Sequence, residues 1–262
     1  MKLQNKVTVV TGAGRGIGRS IALAFAREGS KVVVTARTGS QVEKVRAEVA
    51  GMGAEVLGLS TDISHKNEVL DLVNQTLDRF GPPDILVNNA GVSKGRSLTI
   101  DQDDEVWQEV IRINLIGTYF VTKYFLKTML PRRTGRIITV ASVAGKSAQP
   151  FNSSYAASKH GILGLMKTLA AEMGILGTTE ITVNTICPGA VRTEMLEGFF
   201  RHLSRTKGIS KEEAERQMTS LNLQGRMLDP DEIAQLAVFL ACETGRGITG
   251  QAINIDGGQI MH

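Results

Sequence analysis

Residues 153–161 read SSYAASKHG, which sets Tyr155 four positions ahead of Lys159. At the 3.6-residue period of a helix the two side chains share one face, one turn apart. A positive charge beside a phenol favours the phenolate, so Lys159 is expected to lower the pKa of Tyr155. The size matters, because a free phenol with a pKa of about 10 is too weak a base near neutral pH. Unit charges roughly 4 Å apart at an effective dielectric of about 20 attract by about 4 kcal/mol, equivalent to about three pKa units as an upper estimate. Tyr155 would then give and take a proton close to working pH. His160 lies about 100° further round the same helix and is read as a bystander.

A second chemical signal stands near the other end of the chain. TGAGRGIG, residues 11–18, closes a short apolar run and opens a helical segment. Gly12, Gly16 and Gly18 let the backbone turn tightly, approach a pyrophosphate and pack helix on strand, while the helix start offers N–H donors and the positive end of its dipole. In that position the string predicts a dinucleotide site. The following strand, KVVVTARTGS, has Ala36 and Arg37 where a carboxylate would hold the ribose hydroxyls of NAD. Arg37, with Arg15 from the glycine turn, suits a 2′-phosphate through paired charge-assisted hydrogen bonds, so NADP(H) is the expected cofactor. The competing reading makes both arginines solvated surface residues, and an arginine after this strand also occurs in NAD users.

These residues need a frame that brings them together. Short β-rich runs (KVTVVT, KVVVTA, AEVLGLS, DILVNN) alternate with helical segments at 16–28, 40–50, 65–79 and a long stretch to about 129. The second half continues with GRIITVAS, a helix through YAASKHGILGLMKTLAAEM, the strand EITVNTIC, the helix PDEIAQLAVFLAC and a closing strand near QAINIDGG. Such alternation predicts an α/β fold, a doubly wound parallel sheet with helices on both faces. The strands are apolar nearly throughout, as expected when both faces are covered. Residues 194–227 interrupt the pattern as a long charged insertion, read either as a lid over the site or as a structural helical excursion.

Composition narrows the class. The 262 residues are expected to form one domain over 1–262, with 42% hydrophobic residues, 28 Gly and 6 Pro. The opening MKLQNKVTVVTGAG has too short an apolar run for a signal peptide or membrane span, so a soluble, cytoplasmic protein is expected. Cys187 and Cys242 belong to no CxxC pair, and His65, His160, His202 and His262 lack metal-ligand spacing, so no metal is expected. A net charge of +4 spread among 26 acidic residues suits a nucleotide phosphate and does not demand nucleic acid.

Joined to NNAG at 88–91, Asn114 in RINLIG, Ser142 in TVASVAG, CPGAVRT at 187–193 and GRMLDPDEIA at 225–234, these motifs resemble the short-chain dehydrogenase/reductase family over essentially the whole chain. The resemblance implies a Rossmann-like seven-stranded parallel sheet and an NADP(H)-dependent oxidoreductase that interconverts a ketone and a secondary alcohol. It implies that Asn114, Ser142, Tyr155 and Lys159 are catalytic. Tyr155 would be the acid, Ser142 would steady the substrate oxygen, Lys159 would also hold the nicotinamide ribose, and Asn114 would hold a water in a proton relay. For the cofactor it implies Gly12, Arg15, Gly16, Ile17, Gly18 and Arg37, then Asp62 and Ile63 at the adenine and Asn89, Ala90 and Gly91 along the adenosine region. Tyr155 and Lys159 would border the nicotinamide, with Pro188, Gly189, Val191 and Thr193 on its far side and Thr193 toward its carboxamide. Asp62 is alternatively an N-cap for the helix near His65, where Ser64 competes for that role.

Among relatives the chain is similar to 3-oxoacyl carrier-protein reductases and polyketide ketoreductases through YAASKHG and ICPGAVRTEM. The insertion mixes Phe199 and Phe200 with Arg201, His202, Arg205 and Lys207, which suits an acyl thioester with an anionic head as well as it suits a solvated amphipathic helix. A carrier-protein reductase is expected to have a basic residue in the segment that here reads GILGTTE, although Arg132 and Arg133 offer another basic patch. An NAD-dependent dehydrogenase of a small hydroxy acid or a cyclic or secondary alcohol is the alternative. Its 3-hydroxybutyrate form places His and Lys where this chain has Ala144 and Asn152. A non-catalytic NADP-binding regulator is the alternative of a different class, and the retained Tyr155 and Lys159 argue against it. The resemblance further implies a homotetramer built through helices at about 103–129 and 155–173.

Overall fold

The structure is a computed structural model that describes residues 1–261, apart from the side chains of 201–203 and 205–207. Arg201, His202, Arg205 and Lys207 of the insertion, and His262, therefore lie outside the described residues.

The described residues form seven strands in one parallel sheet: β1 (Val7–Thr11), β2 (Lys31–Ala36), β3 (Val56–Ser60), β4 (Ile85–Asn88), β5 (Thr134–Val140), β6 (Glu180–Pro188) and β7 (Ala252–Ile255). Their order is β3-β2-β1-β4-β5-β6-β7, so the sheet is wound outward in both directions from the pair β1 and β4. Val10 lies level with Val34 on one side and Val87 on the other. Crevices for ligands open at the carboxyl ends of strands where the winding reverses, here just beyond Thr11 and Asn88.

Among the described residues, nine helices accompany the sheet: α1 (Gly16–Arg27), α2 (Gly39–Gly51), α3 (Lys66–Phe80), α4 (Asp104–Ile111), α5 (Thr118–Met129), α6 (Ser153–Ile175), α7 (Glu194–Lys207), α8 (Lys211–Thr219) and α9 (Pro230–Ala241). The apolar strands are explained by two cores, one on each face. Val10, Val32 and Val34 join Ile21 and Phe25 of α1 and Ile233 and Val238 of α9. Val9 and Val33, pointing the other way, join Val69 of α3, Phe125 of α5 and Ile162 and Met166 of α6. Burying each such side chain stabilises by roughly 1.5–3 kcal/mol, which is why these strands are mainly apolar on both faces, and buried polar residues such as Thr8, Asn88 and Asn184 are hydrogen-bonded inside.

The long stretch before 129 is not one helix. Between α4 and α5 the chain makes a π-helical turn over Arg112–Gly117, which leaves α5 to start afresh at Thr118. Insertions of this kind shift the backbone ladder by one residue and gather at functional sites. The charged insertion folds as α7 and α8 around a small core of Phe200, Ala214 and Met227, so Phe200 is structural. Among the described residues, no helix is long and apolar enough to cross a membrane.

Candidate active site

A cleft of about 1250 Å³, its open mouth included, runs across the carboxyl ends of the central strands. Its nucleotide end is made mostly of backbone. Gly12 turns at φ 63°, and a Cβ there would sit 2.7 Å from the Cα of Ala90. A Cβ on Gly18 would run into the carbonyl of Gly12 and the amide of Asn89, so Gly18 packs the helix behind the turn and does not border the cleft. Asn89 reinforces the turn by donating from Nδ2 to the carbonyls of Thr11 and Gly12, both at 3.1 Å. At Gly16, with φ 53°, the nearest group a Cβ would meet is Thr193 at 3.4 Å, and α1 starts there with no side chain capping its first N–H groups. An open glycine face under free helix N–H donors fits a pyrophosphate.

Beyond the turn, Ala36, Arg37, Asp62 and Ile63 line the same cleft. Burial pushes the Asp62 carboxyl up, but the Ser64 hydroxyl and amide and the charges of His65 and Arg37 outweigh it and leave Asp62 below the usual range. Asp62 therefore ties down the loop before α3 by accepting from Ser64, and His65 takes the N-cap position. Arg15 points across the mouth, where its Nη1 donates to Glu194 at 2.8 Å. Arg37 and Arg96 are ion-paired with no carboxylate among the described residues.

The other end of the cleft is made of side chains. Tyr155 and Lys159 project from one face of α6 into the wall, as their spacing predicts. The Ser142 hydroxyl acts on that of Tyr155, drawing its pKa down, and Ser142 also caps a short turn by accepting from Ala144 N–H at 3.1 Å. Lys159 is 4% exposed and donates from Nζ to the Val140 carbonyl at 3.2 Å. A Cβ on Gly91 would lie 3.3 Å from Asn114 Oδ1 and 3.6 Å from Lys159 Nζ, so the last glycine of NNAG leaves room for both. Asn114 sits in the π-helical turn and binds the loop after β4 twice. Its Oδ1 accepts from Val92 N–H at 2.8 Å and its Nδ2 donates to the Val92 carbonyl at 2.9 Å. The same amide donates to Ser158 Oγ at 3.0 Å, and Leu115 fills the space beside Gly161. Ser158 and Gly161 of α6 thus face the π-helical turn.

The tuning of Tyr155 differs from the sequence-based expectation. Burial raises its pKa, while the Ser142 hydroxyl and the charge of Arg96 pull it back part of the way. The charge resolved as acting on Tyr155 is that of Arg96, while Lys159, its ammonium 5.5 Å from the centre of the Tyr155 ring, has its own pKa pushed down to about 8 by burial. Arg96, which takes this place, carries no periodicity or motif in the sequence that would single it out. His160 bonds its own helix at the Ala156 carbonyl and takes no part.

Among the expected cofactor contacts, Gly12, Arg15, Gly16, Ile17, Arg37, Asp62, Ile63, Asn89, Ala90, Gly91, Tyr155, Lys159 and Thr193 line the cleft. Pro188 ends β6, Gly189 packs against Asp256, and Val191 is buried beside Leu228, so these three form the support behind Thr193. Thr193 also caps α7 by accepting from Leu196 N–H at 3.4 Å. Gly14, Gln41, Val92, Glu194 and Met195 were not predicted and border the cleft as well. The basic pair elsewhere is engaged: Arg132 donates to the Pro83 carbonyl at 2.8 Å, and Arg133 to the Gly177 carbonyl at 2.6 Å.

Comparison with known proteins agrees with this geometry. The family described as short chain dehydrogenase matches residues 6–204. The chain is 38% identical over 261 residues to a 3-oxoacyl-[acyl-carrier-protein] reductase of Synechocystis sp., covering 99% of this chain and 98% of the relative. It is 36% identical over 259 residues to a D-beta-hydroxybutyrate dehydrogenase of Rhizobium meliloti, covering 97% and 98%. A crystal structure of a single-substitution variant of actinorhodin polyketide ketoreductase with NADPH superposes with a TM-score of 0.92 at 38% identity, covering 97% of each chain.

Proposed function

The chain belongs to the short chain dehydrogenase family and is an oxidoreductase that interconverts a ketone and a secondary alcohol with a nicotinamide cofactor, and from that premise we propose NADP(H) as the cofactor and a 3-oxoacyl thioester as the substrate. The observation that carries the reading is Tyr155 on the cleft wall beside buried Lys159, with the Ser142 hydroxyl acting on that of Tyr155. A nicotinamide held in the cleft would supply the hydride, and the protein's task is to deliver a proton to the carbonyl oxygen. Burial keeps the Tyr155 hydroxyl protonated at neutral pH, which suits it to act as the acid in the direction of reduction. Ser142 orients that hydroxyl and shares the substrate oxygen. Lys159 holds the cofactor ribose, and Asn114 fixes the loop that closes this wall.

NADP(H) is supported by Ala36 and Arg37 at the end of β2. No carboxylate stands there to repel a 2′-phosphate, and the Arg37 guanidinium is ion-paired with no carboxylate among the described residues. Arg15 stands across the turn and keeps donors beyond the one it gives Glu194. Asp62 and Ile63 serve the adenine side, and Thr193, supported by Pro188, Gly189 and Val191, the nicotinamide side. The insertion 194–227, which carries α7 and α8, is the lid, because Glu194 and Met195 at its start already form part of the cleft wall. A homotetramer through α4, α5 and α6 is proposed on the exposure of Ile116 and Tyr119, each at 40%.

A screen that follows NADPH absorbance over ketones, hydroxy acids and 3-oxoacyl thioesters tests the reading. Turnover of a 3-oxoacyl thioester at least about tenfold faster with NADPH than with NADH is expected. Tight NADPH binding with no carbonyl reduced would instead establish the non-catalytic regulator, and an NAD-linked hydroxy acid as best substrate would establish the dehydrogenase alternative.

A further inference from the structure

The loop after β4 is bolted to the start of α6. Ser93 Oγ and Asn152 Nδ2 bond at 3.2 Å, Ser153 Oγ donates to Gln102 Oε1 at 3.0 Å, and the Trp107 indole N–H donates to Ser153 Oγ at 3.2 Å. Lys94 adds an ion pair to Glu109 of α4 at 2.7 Å. Gly95 then turns at φ 62°, so close to α4 that a Cβ would sit 2.7 Å from Val106. Only glycine makes that turn there without strain. The next residue is Arg96, which the turn delivers to the first turn of α6, where Tyr155 stands.

Arg96 is placed as a recognition group. Its guanidinium carbon lies 3.9 Å from the centre of the Phe199 ring of α7, a stacking that fixes the plane and leaves the edge N–H donors free. Its charge reaches Tyr155 and holds that hydroxyl lower than burial alone would. It is exposed and ion-paired with no carboxylate among the described residues, although fourteen other ion pairs besides the one at Lys94 occupy most of the arginines of this chain. A stacked planar donor beside the acid, with no protein acceptor among the described residues, calls for an acceptor on the substrate.

We propose that Arg96 is a specificity-determining residue that binds the C1 oxygen of a 3-oxoacyl group while Tyr155 and Ser142 take the C3 oxygen. The inference rests on the 3-oxoacyl reading above and deepens it. The two oxygens of such a substrate are neighbours along the acyl chain, so a donor next to the acid reaches the second one, whereas a phosphate at the far end of a carrier arm stays out of reach. Both a thioester carbonyl and a free carboxylate present that oxygen. Phe199, which holds the guanidinium flat, is a positioning residue for the same contact.

The test measures kcat/KM of the wild type, Arg96→Ala and Arg96→Lys on an acetoacetyl thioester of N-acetylcysteamine, on acetoacetate and on 2-pentanone, which lacks the second oxygen. In Arg96→Ala, the preference for the thioester over the monoketone is expected to fall about 10- to 100-fold, the worth of one hydrogen bond to a charged group. Loss should appear in KM more than in kcat, and Arg96→Lys should restore part of it. A larger loss on acetoacetate than on the thioester identifies the free acid as the source of the oxygen. An unchanged preference in Arg96→Ala overturns the inference and leaves the 3-oxoacyl reading standing. A wild type that reduces 2-pentanone but neither 3-oxoacyl compound overturns both. If the monoketone is too slow to measure, a loss confined to kcat with a shifted pH profile assigns Arg96 to tuning Tyr155 and overturns substrate recognition.

Discussion

At one end of the cleft the wall is backbone, and at the other it is side chains held by side chains. Gly12, Gly16 and the free N–H groups of α1 form the nucleotide end, with exposed Arg15 and Arg37 at its rim. The reaction end brings half-buried Ser142 and Tyr155 beside buried Lys159 and Asn114, which are bonded to Val140 and Val92. The first arrangement binds through shape and charge, so its rim can change cofactor choice without disturbing the core. In the second, buried Asn114 and Lys159 are committed to backbone and side-chain neighbours, so losing one group strands another.

That contrast predicts effects of different kind and size. Tyr155→Phe removes the proton donor without changing shape, and turnover should fall by about 10³- to 10⁴-fold while NADPH affinity, read by fluorescence titration, stays within about threefold. Arg37→Asp should shift the NADPH to NADH ratio of kcat/KM by about 100-fold toward NADH, with kcat on the preferred cofactor little changed. Asn114→Ala strands Val92 N–H, the Val92 carbonyl and Ser158, and should lower unfolding stability by about 1–3 kcal/mol in urea titrations.

The last effect is one of pH dependence and belongs to Lys159→Met. Burial lowers the folded-state pKa of Lys159 to about 8, below its unfolded value, so between these two values the unfolded chain binds more protons. Stability then rises with pH across that window in the wild type. The stability of the wild type relative to Lys159→Met should therefore increase from about pH 8 to about pH 10.5. A difference that stays flat across that range would place the ammonium in a less buried setting.

The nucleotide end was the more legible of the two in the sequence. Its parts are local: a glycine string, the strand before it and the residue after the next strand each declare themselves within ten residues, and strand periodicity places them. The helix face shared by Tyr155 and Lys159 was legible for the same reason. What surrounds that face was not. The π-helical turn at 112–117 reads as ordinary helix because its cause is Asn114 reaching back to Val92, a contact across 22 positions. Arg96 gains its place from loop bonds to residues about 50 positions away, and nothing near it marks the site. The expectation of a lowered Tyr155 pKa failed because helical spacing gives proximity to Lys159 but says nothing about desolvation of the phenol itself, or of the amine.

The central claim is that the two ends act separately, one choosing the cofactor and the other moving the proton. The most direct measurement is a double-mutant cycle on cofactor binding with Arg37→Asp, Tyr155→Phe and the double variant, titrated with NADPH and NADH. Separate ends predict that the double variant keeps the cofactor preference of Arg37→Asp, and that the binding free energies add within about 0.5 kcal/mol. A coupling above about 1 kcal/mol, or a changed preference in Tyr155→Phe alone, would contradict the account.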